Sequence, residues 1–148
     1  MNSKFILTAG LVLFSGVAQA HNGCNAASVE QAAQNCNYKQ MKHALKHSCG
    51  ADLGAALMQS LKCTGKDEAY YLAKLLLEHG APVNKADKAG RTGLMLGMIA
   101  CNKYIVELFH KNNANVCARD NAGKTAADLK PACCDAQRIE RALRTKCN

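Results

Sequence analysis

Nine cysteines carry most of the chemistry open to this 148-residue chain. They are Cys24, Cys36, Cys49, Cys63, Cys101, Cys117, Cys133, Cys134 and Cys147. A thiol can bond another thiol, ligate a metal or attack an electrophile, and spacing separates these uses. Successive cysteines lie 12 to 38 residues apart, apart from the adjacent pair Cys133-Cys134, and no C-x-x-C occurs. Structural zinc sites want close ligand pairs. Thioredoxin-like redox chemistry wants C-x-x-C at a helix start. Adjacent cysteines bond each other only with strain. A disulfide framework is the expectation, and nine is odd, so one thiol is left over or pairs between molecules.

The histidines offer less. His43 and His47 stand at i, i+4 and share a helix face, but no Glu lies between them as in H-E-x-x-H. Lys42 and Lys46 beside them repel a cation. His21 would bring an α-amine and an imidazole if it began the mature chain, so His21, His43 and His47 make a conceivable copper set. A thiol-redox or metal-binding protein of the envelope is therefore the alternative reading. No paired carboxylates, nucleophile elbow, phosphate loop or nucleotide fingerprint is present. No catalytic residue, metal site or cofactor is expected, and the chain is not read as an enzyme.

The N-terminus bears on the cysteines. Lys4 makes a basic start, Phe5 to Val17 is mostly apolar, and Ala18-Gln19-Ala20 is an A-x-A cleavage signal, so residues 1–20 read as a bacterial-type signal peptide. The run is short for a membrane span. His21-Asn22-Gly23 before Cys24 does not make a lipobox. The mature protein is expected to be periplasmic or secreted, where disulfides persist. Residues 1–20 hold one of the 19 Lys+Arg and none of the 11 Asp+Glu, leaving a net charge of +7. For an exported protein that excess fits an acidic protein partner or an anionic envelope surface better than nucleic acid. With no tryptophan and few aromatics, the charge also serves solubility.

The elements that must position these residues repeat. Leu75, Ala81, Val83, Asp87, Gly90 and Thr92 return 33 residues later as Leu108, Ala114, Val116, Asp120, Gly123 and Thr125. Tyr71 returns as Tyr104. A fixed period of this length marks a stacked repeat architecture, and such stacks are mostly binding surfaces. Apolar spacing predicts a helix over 68–79 with Tyr71, Leu72, Leu75 and Leu76 on one face. Thr92 is an N-cap for a short helix through Cys101. Lys103 to Lys111 forms another, with Ile105, Val106, Leu108 and Phe109 inward. Short helices over 28–34 and 38–47 precede them. His79 falls at a helix C-terminus, where the macrodipole favours it. Asp87 and Asp120 are expected to satisfy loop backbone donors.

Asp87-Lys88-Ala89-Gly90-Arg91-Thr92-Gly93-Leu94 resembles the D-x-x-G-x-T-P-L opening of the ankyrin repeat. Leu75-Leu76-Leu77-Glu78-His79-Gly80-Ala81-Pro82-Val83-Asn84 resembles its L-L-L-x-x-G-A-D-V-N close, and Asp120 to Leu129 is similar to openings of terminal repeats. The chain departs where Gly93 replaces the usual Pro, Met95 the usual His, and Asn113 a capping Gly. Asn tolerates the left-handed conformation required there. The resemblance implies an all-α ankyrin-repeat solenoid, short, exported and cysteine-rich. It is one domain over 21–148 with approximate repeats 26–52, 53–86, 87–119 and 120–148. Thr64-Gly65-Lys66-Asp67 is an inserted turn within the second.

In such a stack, helix–helix turns line one edge and inter-repeat loops the other. Cys36, Cys63, Cys101, Cys133 and Cys134 then share the turn edge, while Cys24, Cys49, Cys117 and Cys147 share the loop edge. A disulfide needs Cα atoms within roughly 7 Å. The resemblance therefore implies Cys36–Cys63, Cys101 with Cys133 or Cys134, Cys24–Cys49 and Cys117–Cys147. It also implies a recognition face at the loop tips. Lys85, Lys88 and Arg91 project from one loop, and Arg119, Asn121 and Lys124 from the next. They make a basic strip for an acidic protein partner, with the chain acting as an immunity or accessory protein, monomeric or dimerised through the odd cysteine.

Overall fold

The computed structural model describes residues 26–47 and 50–129. Among them are six helices: α1 (Ala26–Gln34), α2 (Tyr38–Lys46), α3 (Leu53–Ser60), α4 (Lys66–Glu78), α5 (Gly93–Ile99) and α6 (Lys103–Lys111). They pair in chain order. Each pair is joined by a short turn, and α1 packs on α2, α3 on α4 and α5 on α6. The pairs also stack, α1 on α3 and α2 on α4 on α6. No strand occurs among the described residues, only an isolated antiparallel bridge between Ala86 and Thr92. No helix there is long and apolar enough to cross a membrane.

Local chemistry sets the boundaries. Asn37, Asp52 and Asn102 each occupy an N-cap. Their side chains accept from the backbone N–H groups of Gln40 (3.0 Å), Ala55 (2.9 Å) and Ile105 (3.3 Å), satisfying donors the helix cannot. Asp67 and Glu68 sit in the first turn of α4, where the macrodipole favours negative charge. The C-terminal ends follow one plan. Cys36, Gly80, Cys101 and Asn113 have φ of 51°, 86°, 49° and 58°. Around each, paired bonds close a Schellman motif, as in Cys36 N–H to Ala33 O and Asn37 N–H to Ala32 O. Glycine is the easy occupant of this left-handed position. Cysteine holds it in the α1–α2 and α5–α6 turns.

Three expectations shift. The helix after Thr92 ends at Ile99 and not at Cys101, because Cys101 reverses the chain and Asn102 caps α6. The inserted turn stops at Gly65. Lys66 and Asp67 already belong to α4, which is 13 residues long against 9 in α6. Tyr71, expected inward, is 53% exposed. The buried face of α4 is Ala69, Leu72, Ala73, Leu75 and Leu76, since i, i+3, i+4, i+7 from Leu72 points away from Tyr71.

The core runs the length of the stack. Met41, Leu57, Leu72, Leu76, Leu94, Met95, Met98, Ile105 and Phe109 are all at most 2% exposed, each stabilising by about 1.5–3 kcal/mol through removal from water. Close approach depends on small residues. A β-carbon at Gly93 would land on the Phe109 ring and within 3.1 Å of Leu61, so the ring fills the space that a proline would need. Met95 replaces the repeat's histidine differently. It is fully buried, and its Sδ accepts the Thr92 N–H at 3.4 Å. The Thr92 hydroxyl is buried and has no hydrogen-bond partner among the described residues.

Cys36 and Cys63 are disulfide-bonded with Cα atoms 5.8 Å apart, joining the first two helix–helix turns. Cys101 and Cys117 are disulfide-bonded too. The pairings expected for them, with Cys133 or Cys134 and with Cys147, lie outside the described residues, as do Cys24, Cys49, His21 and the segment 1–20.

Two outcomes follow from this packing. Replacing Cys36 and Cys63 together by serine opens a cross-link of sequence separation 27. It should lower unfolding free energy by about 3–4 kcal/mol in a denaturant titration. Gly93→Ala should cost about 1–3 kcal/mol by overpacking. Phe109→Leu, which withdraws the ring, should reduce that increment in a double-mutant cycle.

Candidate functional site

Two loops repeat the same hairpin. In the first, between α4 and α5, the Asp87 N–H donates to Arg91 O (3.0 Å) and the Gly90 N–H to Asp87 O (3.0 Å). The Asp87 carboxylate accepts from the backbone N–H groups of Ala89 and Arg91, both at 2.9 Å. In the second, after α6, Asp120 N–H donates to Lys124 O (2.9 Å), and its carboxylate accepts from Ala122 (2.9 Å) and Lys124 (2.8 Å). Both aspartates therefore hold loop backbone donors.

Neighbouring hairpins are stitched together. The Asn121 backbone N–H donates to Ala89 O (3.0 Å) and its side-chain amide to Lys88 O (3.1 Å). The Asn115 N–H donates to the Asn84 side chain at 2.7 Å. Gly90 has φ 75°, and a β-carbon there would come within 2.9 Å of the Asn121 nitrogen. Glycine serves both the turn and the contact.

This stitching consumes much of the basic strip. Arg91 forks onto Asp87, with Nε at 3.0 Å and Nη2 at 2.9 Å from Oδ2. Arg119 donates to Gly123 O at 2.7 Å. Lys85 reaches across to Asp52 at 3.5 Å, tying the loop to the cap of α3. Asn121 is a bridge between hairpins. Lys88 and Lys124 remain, exposed, with side chains that make no ion pair or hydrogen bond among the described residues. Lys88 stands within the first turn and Lys124 closes the second opposite Asp120, three residues apart in register. The six residues thus share one edge but divide into four that hold the loops and two that present charge.

The carboxylates respond to these partners. Partial burial pushes the Asp87 carboxyl up. The Arg91 backbone N–H, the Arg91 guanidinium and the Ala89 N–H outweigh it and hold the group below the usual carboxylate range. The Ala55 N–H holds Asp52 low, with Lys85 adding to the effect.

Of the conceivable copper set, His21 lies outside the described residues. His43 and His47 are exposed neighbours on α2 with ring centroids 5.3 Å apart. Among the described residues no three of His, Cys, Asp and Glu converge as metal ligands. His79 caps α4, its Nδ1 donating to Leu75 O at 2.8 Å. The repeat period pairs Tyr71 with Tyr104, and apolar spacing places Tyr71 on the inner face; neither assigns a role to Tyr38 or Tyr70. The structure brings all four into contact, with Tyr38, Tyr71 and Tyr104 exposed and Tyr70 half-buried against the core; Tyr38 and Tyr104 stand in the first turns of α2 and α6, and Tyr70 and Tyr71 in the second turn of α4.

No family model matches the chain. It is 25% identical over 108 residues to an ankyrin repeat protein of Acanthamoeba polyphaga mimivirus. That match covers 73% of this chain and 15% of the relative, so the chain spans a small part of the curated protein it resembles. Stacked helix pairs, hairpin loops and this similarity agree on an all-α, ankyrin-like fold.

A folded-state pKa below the unfolded value contributes stability that is complete above the unfolded pKa and lost as pH falls through the folded one. Asp87→Asn should therefore destabilise by about 1–2 kcal/mol at neutral pH. Its melting temperature should converge on the wild-type value as pH drops below the ordinary carboxylate range. A thermal melt series of both proteins from neutral to acid pH measures this.

Proposed function

We propose that the chain is a non-enzymatic protein-binding module of the bacterial periplasm or of the secreted fraction, and that it engages an acidic protein partner through the loop edge. The observation that carries this reading is the pair of stitched hairpins. Cross-loop bonds from Asn121 hold two like turns side by side, and Lys88 and Lys124, the two cations of the strip whose side chains have no partner among the described residues, project from them. A preformed surface loses little conformational entropy on binding, and complementary charge steers the encounter. The similarity to an ankyrin repeat protein supports interaction over catalysis. An immunity or accessory role suits such a module.

The thiol-redox alternative has less behind it. Cys36, Cys63, Cys101 and Cys117 are all disulfide-bonded, which uses them for structure. Disulfides persist in oxidising compartments, so these bonds support the exported reading.

Affinity capture from the native envelope fraction tests the reading, with wild-type protein beside the Lys88→Glu/Lys124→Glu variant. One acidic partner should be retained by the wild type and lost from the variant, with retention falling as salt shortens the Debye length. Equal capture by both removes the loop edge as the site. No specific capture by either removes the binding reading.

A further inference from the structure

All four tyrosines of the chain lie in one row on the second helices. Tyr38 of α2 meets Tyr71 of α4 edge-on, with ring centroids 6.3 Å apart. Tyr71 meets Tyr70 at 5.3 Å, and Tyr70 meets Tyr104 of α6 at 6.1 Å. The rings form a continuous band across three helix pairs. Tyr38, Tyr71 and Tyr104 are 41%, 53% and 47% exposed. Ile99 is the only other large apolar side chain so exposed among the described residues. Tyr70 is half-buried against the core, but folding does not account for the three exposed rings, because the buried faces of α2, α4 and α6 are already filled by Met41, Leu72, Leu76, Ile105 and Phe109. Contiguous apolar surface of this kind marks interaction sites. Tyrosine is also enriched among binding hot spots, since it gives a large rigid contact at low entropic cost.

The charge around the band selects an occupant. α2 carries Lys39, Lys42 and Lys46 and no acid. At the far end, Lys103 Nζ stands 5.0 Å over the Tyr104 ring. Lys74, in the middle, is spent on Glu78 at 4.0 Å. Asp67 and Glu68 stand one turn before Tyr71 on α4, and the exposed Glu107 stands three residues past Tyr104 on α6, so the α2 end of the band is the more basic one while Lys103 supplies the cation at the other. A second copy would bring the same net charge of +8 against itself.

We infer that the tyrosine row is a docking surface for an acidic polypeptide segment whose apolar side chains pack on the rings while its carboxylates meet the lysines at either end. The row lies toward the N-terminal ends of the second helices and the loops follow their C-terminal ends, so this surface is separate from the loop edge. The inference rests on the binding-module reading but not on Lys88 and Lys124.

The chain has no tryptophan, so its intrinsic emission comes from these four rings and reports on the band directly. Linear peptides of about 12 residues, selected from a random display library against the oxidised protein, are the probe; each selected peptide is titrated by tyrosine emission and by anisotropy of a labelled copy. Selected sequences should be rich in Asp and Glu interspersed with aromatic or aliphatic residues, and should perturb the emission. Tyr71→Ser/Tyr104→Ser should weaken them roughly tenfold or more, while Tyr71→Phe/Tyr104→Phe and Lys88→Glu/Lys124→Glu stay within about threefold. Thermal melts check that each variant is folded. Peptides with no acidic excess, unchanged affinity in the serine variant, or self-association that the serine variant abolishes in sedimentation would each overturn the inference. So would failure to select any peptide, which leaves the capture experiment on the loop edge to stand or fall by itself.

Discussion

A layer of two short helices can bury its apolar faces only against another such layer. Every other feature of this molecule answers to that constraint. Isolated helices of 7 to 13 residues are marginal in water, and stacking supplies what propensity does not. Stacking in turn demands that backbones come close. Gly93 gives way to the Phe109 ring, and Gly97 to Ile105 at 2.7 Å from where a β-carbon would sit. The substitution of Gly for the repeat's usual Pro is therefore coupled to a large ring on the partner helix. Neither is a free choice once the other is made.

The same constraint explains why cysteine appears where glycine would be easier. The turn between paired helices reverses the chain through a left-handed residue, and successive turns line one edge of the stack. A side chain at that position projects toward its counterpart in the next layer. Cys36 accepts a φ of 51° and gains a bond to Cys63 across 5.8 Å between Cα atoms. The bond ties the first two described helix–helix turns together covalently, beside the packing of α1 on α3. α3, whose turn holds Cys63, lacks a left-handed exit, and α4 after it is one helical turn longer than α6. Asn102 then reaches back to Lys66 O at 3.1 Å, fastening the extended end to the next layer.

What could be read from the residues divides along the same line. Period, polarity and capping are local, so α6 is found at Lys103–Lys111, Asn113 in the left-handed region, and Asp87 and Asp120 holding their loops. Contacts about 33 residues apart are not local. The sequence shows Arg91, Lys85 and Asn121 as polar loop residues. Only the stack shows that Lys85 is taken by Asp52, and that Asn121 is taken by the Lys88 and Ala89 carbonyls. Even Arg91, whose partner Asp87 is four residues away, is legible as paired only once the hairpin is closed. Tyr71 was misplaced for a related reason. An apolar period assigns it to the inner face, but Leu72 and Leu76 leave no room there.

Periodicity has a further consequence for where binding surfaces arise. Residues that repeat in register and point inward build the core, and those that repeat and point outward build bands running the length of the stack. The loop edge spends most of its polar groups on holding layers together, because every hairpin must satisfy its own backbone and that of its neighbour. The outer face of the second helices has no such obligation. Its backbone groups are satisfied within the helices, so its side chains are free to vary without loss of fold. Exposed tyrosines kept in contact from α2 to α6 on that face therefore need a reason other than stability. Recognition is the reason that the lysines at both ends of the row supply.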